Sequence, residues 1–266
     1  VTDGSTRFAA ERHERILRLL RERGAMSLRD LAGALDASEV TVRRDLRALE
    51  GRGLLERSRG GAVPLGGLAR EPTRRDKSTV ALAEKDAIAA RAATLVAPGD
   101  AVAIGPGTTT ERLARRLART PGLTVITNSL PVATALADSR DIEVVLTGGA
   151  LRGSIHALVG GTAEGFLTGV RVRRAFLSGN GLTAAHGLST PSLAVAGTDR
   201  ALAAAADEAV VLADHTKIGV RALFRTVPAD RIAHLVTDPG AARAELDALS
   251  SGGATVHLAD PNSEPT

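Results

Sequence analysis

Seven short apolar runs, at residues 101–104, 123–126, 142–146, 175–177, 209–212, 232–236 and 255–258, alternate with stretches of helical periodicity. That alternation constrains the fold more than any other feature. Helical spacing is found at 80–97, 110–120, 131–138, 193–206 and 240–249. Runs too short for buried helices, separated by amphipathic helices, predict strands buried on both faces and joined by crossovers. The expectation is an α/β, Rossmann-like domain with a mostly parallel sheet over residues 79–259. Its core must be built from Ala, Val, Leu and Ile, because the chain holds four Phe and neither Trp nor Tyr.

The front of the chain has another texture. Residues 1–77 carry 17 Lys plus Arg against 12 Asp plus Glu, whereas the remainder carries 17 against 18. A basic segment on a near-neutral body points to a polyanionic partner. Residues 1–13 read as a tail whose last part opens a first helix, with Ile16, Leu17 and Leu20 at helical spacing. Ser27-Leu28-Arg29-Asp30 reads as a capping box before a second helix. Ser38 is an N-cap for a third helix ending near Arg52, with Val42, Leu46 and Leu49 inward. Residues 54–57 and 62–63 read as a hairpin around Ser58-Arg59-Gly60-Gly61. Three short helices and a hairpin predict a small winged helix-turn-helix (α+β) over 14–63. Residues 64–78, rich in Pro, Gly and charge, read as a linker, and 260–266 as a disordered tail.

If the apolar stripe of the third helix faces inward, Thr41, Arg43, Arg44 and Arg47 lie on or beside its outer face. A helix start placed in a major groove brings such side chains to base edges and phosphates, and the planar Arg fork suits both. The hairpin adds Arg57 and Arg59, with Gly60 and Gly61 allowing close backbone approach. With Ser38, these form the expected double-stranded DNA interface. The bland alternative is a solvated helix face on which Asp45 and Glu50 pair with nearby arginines.

In the second domain, polar segments follow successive strands. Gly105-Pro106-Gly107-Thr108-Thr109-Thr110 runs into a helix, where free N–H groups and the helix dipole suit an anion. Thr127-Asn128-Ser129, Gly148-Gly149, Asn180-Gly181 and Asp214-His215-Thr216-Lys217 follow other strands. In an open α/β sheet these ends share one edge, where ligands bind. The expected ligand is small, polar and phosphorylated. His156, His186 and His215 lie near this edge without metal-ligand spacing, and with no Cys in the chain neither a metal nor a cofactor is expected. The longest uninterrupted apolar run is six residues, 201–206, against the roughly 18 a membrane span needs. The first residues lack the apolar core of a signal peptide, so the expected location is the cytoplasm.

Residues 14–63 resemble the N-terminal domain of the DeoR family of bacterial transcriptional regulators. The family pattern Ser-x-x-Thr-[Ile/Val]-Arg-Arg-Asp-Leu-x-x-Leu-Glu stands at Ser38 to Glu50, and Arg-x-x-Gly-Gly-Ala at Arg57 to Ala62. Over about residues 84–238, GTTT, TNS, Gly148-Gly149, GNG and D-x-x-K resemble the effector domain of that family, which is similar in fold to sugar-phosphate isomerases. The resemblance implies that Gly107, Thr108, Thr109 and Thr110 cradle a phosphate. It implies that Thr127, Asn128, Ser129, Gly148, Gly149, Arg152, Asp214 and Lys217 line the rest of a pocket, to which Asn180 and Gly181 are added by position. It also implies a homo-oligomer, dimer or tetramer, that represses sugar or carbon metabolism genes under control of a sugar phosphate or similar anion.

Three features depart from the pattern. Gly105 stands where members commonly carry an acidic residue, and Pro106 stiffens the turn. The Glu common near 193–196 and the Lys common near Asp199 are missing. Arg173-Arg174 stands where an Asp is common. These leave three outcomes open: a weakly bound sugar, a different anion, or lost effector control. Alternatives to a regulator are therefore a DNA-binding protein whose C-terminal domain only oligomerises, and a sugar-phosphate isomerase-type enzyme. The enzyme is disfavoured because Gly105 supplies no general base.

Overall fold

The computed structural model describes residues 3–23, 26–52, 54–58, 60–64 and 71–262. The front unit comprises α1 (Asp3–Arg23), β1 (Met26–Ser27), α2 (Leu28–Leu35), α3 (Glu39–Gly51), β2 (Leu55–Ser58) and β3 (Gly61–Pro64). Helix α1 starts at Asp3, inside the stretch read from sequence as a tail. Ile16, Leu20, Leu31, Val42, Leu46, Leu49 and Leu55 close one small core, so three helices and the wing each bury a single stripe. Ser27 caps α2, accepting from Asp30 N at 3.1 Å, but the expected capping box is incomplete, because the Asp30 carboxylate accepts the Ser27 hydroxyl at 2.7 Å rather than the Ser27 backbone N–H. The two-residue strand β1, which has no signature in the sequence, pairs with β3 and makes the wing three-stranded, in the order β1-β3-β2.

The linker is partly structured. Residues 65–70 lie outside the described residues, but Thr73 and Asp76 form a reciprocal capping box on α4 (Arg74–Lys77). Helix α5 (Leu82–Ala93) then leads into the second unit.

There β4 (Ala101–Ile104), α6 (Thr108–Leu117), β5 (Leu123–Thr127), α7 (Leu130–Leu136) and β6 (Ile142–Leu146) are followed by a hairpin, β7 (Ala150–Arg152) and β8 (Ala157–Val159). Next come α8 (Gly161–Leu167), β9 (Val172–Leu177), β10 (Gly181–Thr183), β11 (Gly187–Thr190) and α9 (Leu193–Ala204). Strands β12 (Ala206–Leu212), β13 (Phe224–Val227), β14 (Ile232–Thr237), helix α10 (Arg243–Ser251) and β15 (Thr255–Leu258) complete it. The main sheet has seven strands in the order β15-β14-β12-β9-β4-β5-β6, and every neighbouring pair is parallel. All seven expected strands are in it. The hairpin β7–β8 and the small antiparallel sheet β10-β11-β13 are additional.

Side chains alternate across the sheet with period two. Val102, Ile104, Phe176, Val210 and Leu212 face α5, α6 and α7, whereas Ala103, Ala175, Leu177 and Val211 belong to the opposite core. From β4 the chain winds outward through β5 and β6, then crosses back to β9 on the other flank of β4. The carboxyl ends of β4 and β9 therefore border the point where strand order reverses, where a crevice opens.

Candidate functional site

The first candidate surface belongs to α3 and the wing. Ser38 accepts from Thr41 N at 3.2 Å, and the two hydroxyls lie 2.8 Å apart. Burial of Val42, Leu46 and Leu49 turns Arg43, Arg44 and Arg47 outward, and none of the three forms an ion pair among the described residues. Asp45 turns the other way. Arg12 Nε and Nη2 donate to it at 2.5 and 3.0 Å, and His13 Nε2 lies 3.1 Å from it. Burial raises the Asp45 carboxyl, but the Arg12 and His13 hydrogen bonds outweigh it and hold the group below its ordinary range. Asp45 thus fixes α3 against α1 and leaves the outer arginines free. Glu50 binds the wing instead: Arg57 Nε lies 2.8 Å from it and Arg57 N donates at 3.3 Å.

Arg43, Arg47, Arg57, Gly60 and Gly61 surround one hollow floored by Leu28 and Leu46. Arg44 is exposed beside it, and Arg59 lies outside the described residues. The glycines have a structural reason. A Cβ on Gly61 would stand 2.1 Å from the Met26 carbonyl, so β1 and β3 pair only because position 61 is bare. Gly60 takes φ +89°, and its carbonyl accepts from Leu28 N at 2.6 Å. Three guanidinium groups around one concavity at a helix start can meet phosphates and base edges together.

The second candidate surface is the crevice between β4 and β9. Its floor is the start of α6, where Gly107 is the N-cap and supplies no side-chain cap. Ser129 and Ser192, in contrast, cap α7 and α9. Thr108 and Thr109 thus bring uncapped first-turn N–H groups to the crevice, together with the positive end of the helix dipole. A side chain at position 107 would be crowded, since its Cβ would stand 3.0 Å from Ser178 Cβ and 3.1 Å from Thr110 Oγ1.

Charged side chains complete the walls, and several come from the linker: Glu71, Arg74, Lys77, Lys85, Asp199, Asp214 and Lys217 all line the crevice. Arg74 Nη2 lies 2.7 Å from Glu111 in the first turn of α6. Glu71 accepts from Arg152 Nε at 2.6 Å and from Ser154 Oγ at 2.8 Å. Lys85 Nζ donates to the carbonyls of Lys77 (3.1 Å) and Val80, and stands 3.5 Å from Asp214. Burial, helped by the Lys217 charge, pushes the Lys77 ammonium down to about 8 against the pull of Glu71 and Asp199. Burial also lowers Lys85. For Asp214 burial acts upward, but the charges of Lys217 and Lys85 and the Thr216 hydroxyl outweigh it, so this carboxylate stays ionised.

His215 joins the two units. Its N–H donates to Asp238 at 2.7 Å, its Nδ1 lies 2.9 Å from Asp238 and its Nε2 lies 3.0 Å from Asp30 on α2. Hydrogen bonds to Asp238 and then Asp30 hold the imidazolium up to about 10. The Asp214–Lys217 segment therefore faces the crevice on one side and the helix-turn-helix on the other.

Comparison with known proteins places both units. Residues 12–65 match the DeoR-like helix-turn-helix domain, and residues 80–239 match the DeoR C terminal sensor domain. The chain belongs to the DeoR family. The HTH-type transcriptional regulator GlpR of Haloferax volcanii is 38% identical over 247 residues, covering 93% of this chain and 96% of that one. The lactose phosphotransferase system repressor of Streptococcus mutans is 35% identical over 231 residues, 86% of this chain and 91% of that one. Ribose 5-phosphate isomerase A of Methanocaldococcus jannaschii superposes on half of this chain and 53% of its own, at 20% identity and a TM-score of 0.38. This DeoR-family protein is a DNA-binding transcriptional regulator, not an enzyme. No helix among its described residues is long and apolar enough to cross a membrane.

The regulator gathers some of the pocket residues expected from its sequence and separates others. Gly107, Thr108, Thr109, Asn180, Asp214 and Lys217 line the crevice. Thr110, Thr127, Asn128 and Ser129 do not; they are buried beneath it and bond the backbone. Thr110 donates to Gly107 O at 3.0 Å, Thr127 to Ile104 O at 2.6 Å, and Asn128 to Leu158 O at 2.9 Å. Ser129 accepts from Val132 N at 3.4 Å. Gly148 and Gly149 turn the chain into β7 with φ of +70° and +112°, Arg152 holds Glu71, and Gly181 packs bare against the Val220 carbonyl. Gly105 packs on Leu177, where a Cβ would stand 3.0 Å from Cδ2, so a side chain there requires the leucine to shift.

Sequence reasoning missed Glu71, Arg74, Lys77, Lys85 and Asp199. Two of them carried a signal. Lys85 shares the apolar face of α5 with Ile88, Ala89 and Ala92, and Asp199 shares that of α9 with Val195 and Leu202. A lone charge at a core-facing helical position calls for a buried partner or a ligand.

Proposed function

We propose that this protein represses sugar or carbon metabolism genes from the cytoplasm, as a homo-oligomer presenting paired winged helices to an operator, and that a phosphorylated sugar or similar anionic metabolite in the crevice controls it. One observation carries the reading. The linker that leads to the DNA-binding unit supplies Glu71, Arg74 and Lys77 to the same crevice as the uncapped start of α6 and as Asp214 and Lys217. An anion bound there gains from the helix N-terminus and the lysines, and its presence shifts the balance of contacts that hold α4 in place. His215 passes the same change to α2 through Asp30. Ser38, Thr41, Arg43, Arg44, Arg47, Arg57, Arg59, Gly60 and Gly61 form the DNA face. Names of relatives, such as the lactose phosphotransferase system repressor, are consistent with sugar-linked repression.

The test is operator binding by fluorescence anisotropy with and without a panel of pentose and hexose phosphates. The expected result is a shift of fivefold or more in operator affinity for at least one of them, with the reciprocal shift in ligand affinity when operator is present. Operator affinity indifferent to every anion in the panel would leave the second unit a mere oligomerisation domain.

A further inference from the structure

Two buried polar side chains that line the crevice, Asp199 and Asn180, have atoms without a partner among the described residues. Asp199, one turn after Val195 on the buried face of α9, is 2% exposed and lines the crevice. Its Oδ1 has no hydrogen-bond partner among the described residues. The other two carboxylates of the crevice are served, Asp214 by Thr216 and Lys85, and Glu71 by Arg152 and Ser154. Among the described residues Asp199 forms no ion pair, and burial pushes its carboxyl up to about 8 against the pull of Lys77. Asn180 repeats the pattern. Its Oδ1 accepts the Thr190 hydroxyl at 3.4 Å, but its Nδ2 is buried without a partner among the described residues and it too lines the crevice. Buried polar atoms are normally paired, and exceptions persist where something else supplies the partner.

We propose that Asp199, assisted by Asn180, is the specificity subsite of the crevice and reads a hydrogen-bond donor, a hydroxyl or an ammonium, on the end of the effector away from its anionic group. This inference rests on the effector reading above and narrows it: the ligand is anionic at one end and donor-bearing at the other. An ammonium benefits most, because its charge favours the ionised carboxylate, and a hydroxyl pairs with either protonation state.

The experiment uses the full chain and calorimetric or thermal-shift titrations with inorganic phosphate, glucosamine 6-phosphate, glucose 6-phosphate and 2-deoxyglucose 6-phosphate. Wild type should bind at least one amino or hydroxyl compound more tightly than the deoxy analogue, by tenfold or more. Asp199→Leu, which replaces both oxygens with methyl groups, should leave inorganic phosphate affinity within twofold and reduce that discrimination below threefold. Asp199→Lys, checked for a retained cooperative melt by circular dichroism, should penalise glucosamine 6-phosphate more than glucose 6-phosphate. Discrimination that survives in both variants, or loss of phosphate and sugar-phosphate binding in equal measure, overturns the Asp199 subsite while the effector reading stands. Absence of binding by all four probes to wild type overturns the effector reading itself, and this inference with it.

Discussion

The two units handle charge in opposite ways. On the winged helix, Arg43, Arg44 and Arg47 are exposed and form no ion pair among the described residues. In the sensor domain, Lys85, Asp199 and Asp214 are buried and their ionisation is displaced. The ligands differ correspondingly. A duplex is a large, fixed polyanion that exposed cations can approach and leave, with counterion release driving binding. A metabolite is small, so discrimination has to come from groups already stripped of water, whose unmet hydrogen bonds penalise the wrong ligand. Asp45 is the exception on the front unit, a buried carboxylate used for positioning rather than contact.

If this contrast holds, charge changes at the back should cost stability and those at the front should cost only binding. The largest effect is expected for Lys85→Met, which removes one partner from a buried pair and should destabilise the sensor domain by about 3 kcal/mol. Urea titration followed by circular dichroism measures it, since the chain has no Trp or Tyr to report by fluorescence.

His215→Gln tests the junction and should cost about 2 kcal/mol, as for hydrogen bonds to charged groups. Its sign with pH is set by the raised imidazole. The native state holds the proton up to about 10, above the unfolded value, so the contribution is full below about 6.5 and is lost as pH rises through 10. The gap in melting temperature between wild type and variant should therefore shrink on going from pH 6 to pH 10. A gap that widens with pH would show that His215 folds neutral.

Arg43→Ala and Arg47→Ala should each weaken operator binding about tenfold while changing stability by less than about 0.5 kcal/mol. Where the lost contact is to phosphate, the slope of log affinity against log salt should fall by about one. A large loss of stability in either variant would erase the contrast between the units. Ser38→Ala is the smallest change, about 1 kcal/mol from the lost N-cap of α3, read as a lower melting temperature of the front unit.

Most of the architecture was legible in the chain. The seven sheet strands and the main helices follow from apolar runs and periodicity, because burial on two faces or one leaves a pattern in neighbouring residues. The N-caps Ser27 and Ser38 and the wing turn were legible for the same local reason, whereas the Thr73–Asp76 capping box was not, because it lies in a stretch that reads as linker. Strands β1, β7, β8, β10, β11 and β13 were not, because they are short and their pairing partners lie far along the chain or beside bare glycines such as Gly61. Of the crevice, the anion end was visible as Gly107 to Thr109 opening a helix. Lys77 and Arg74 were invisible because they sit in a stretch whose composition says only linker.

Local chemistry alone therefore determined that this chain makes a winged helix ahead of a parallel α/β domain, and that its front end carries outward arginines. Periodicity and capping act over a few residues and can be read where they stand. Only the tertiary structure decided that Glu71, Arg74 and Lys77 line the crevice, that His215 spans from Asp238 to Asp30, and that Asp199 lines the crevice with no ion pair among the described residues. Those outcomes depend on which distant segments share a low-dielectric interior, and no neighbour in sequence records that.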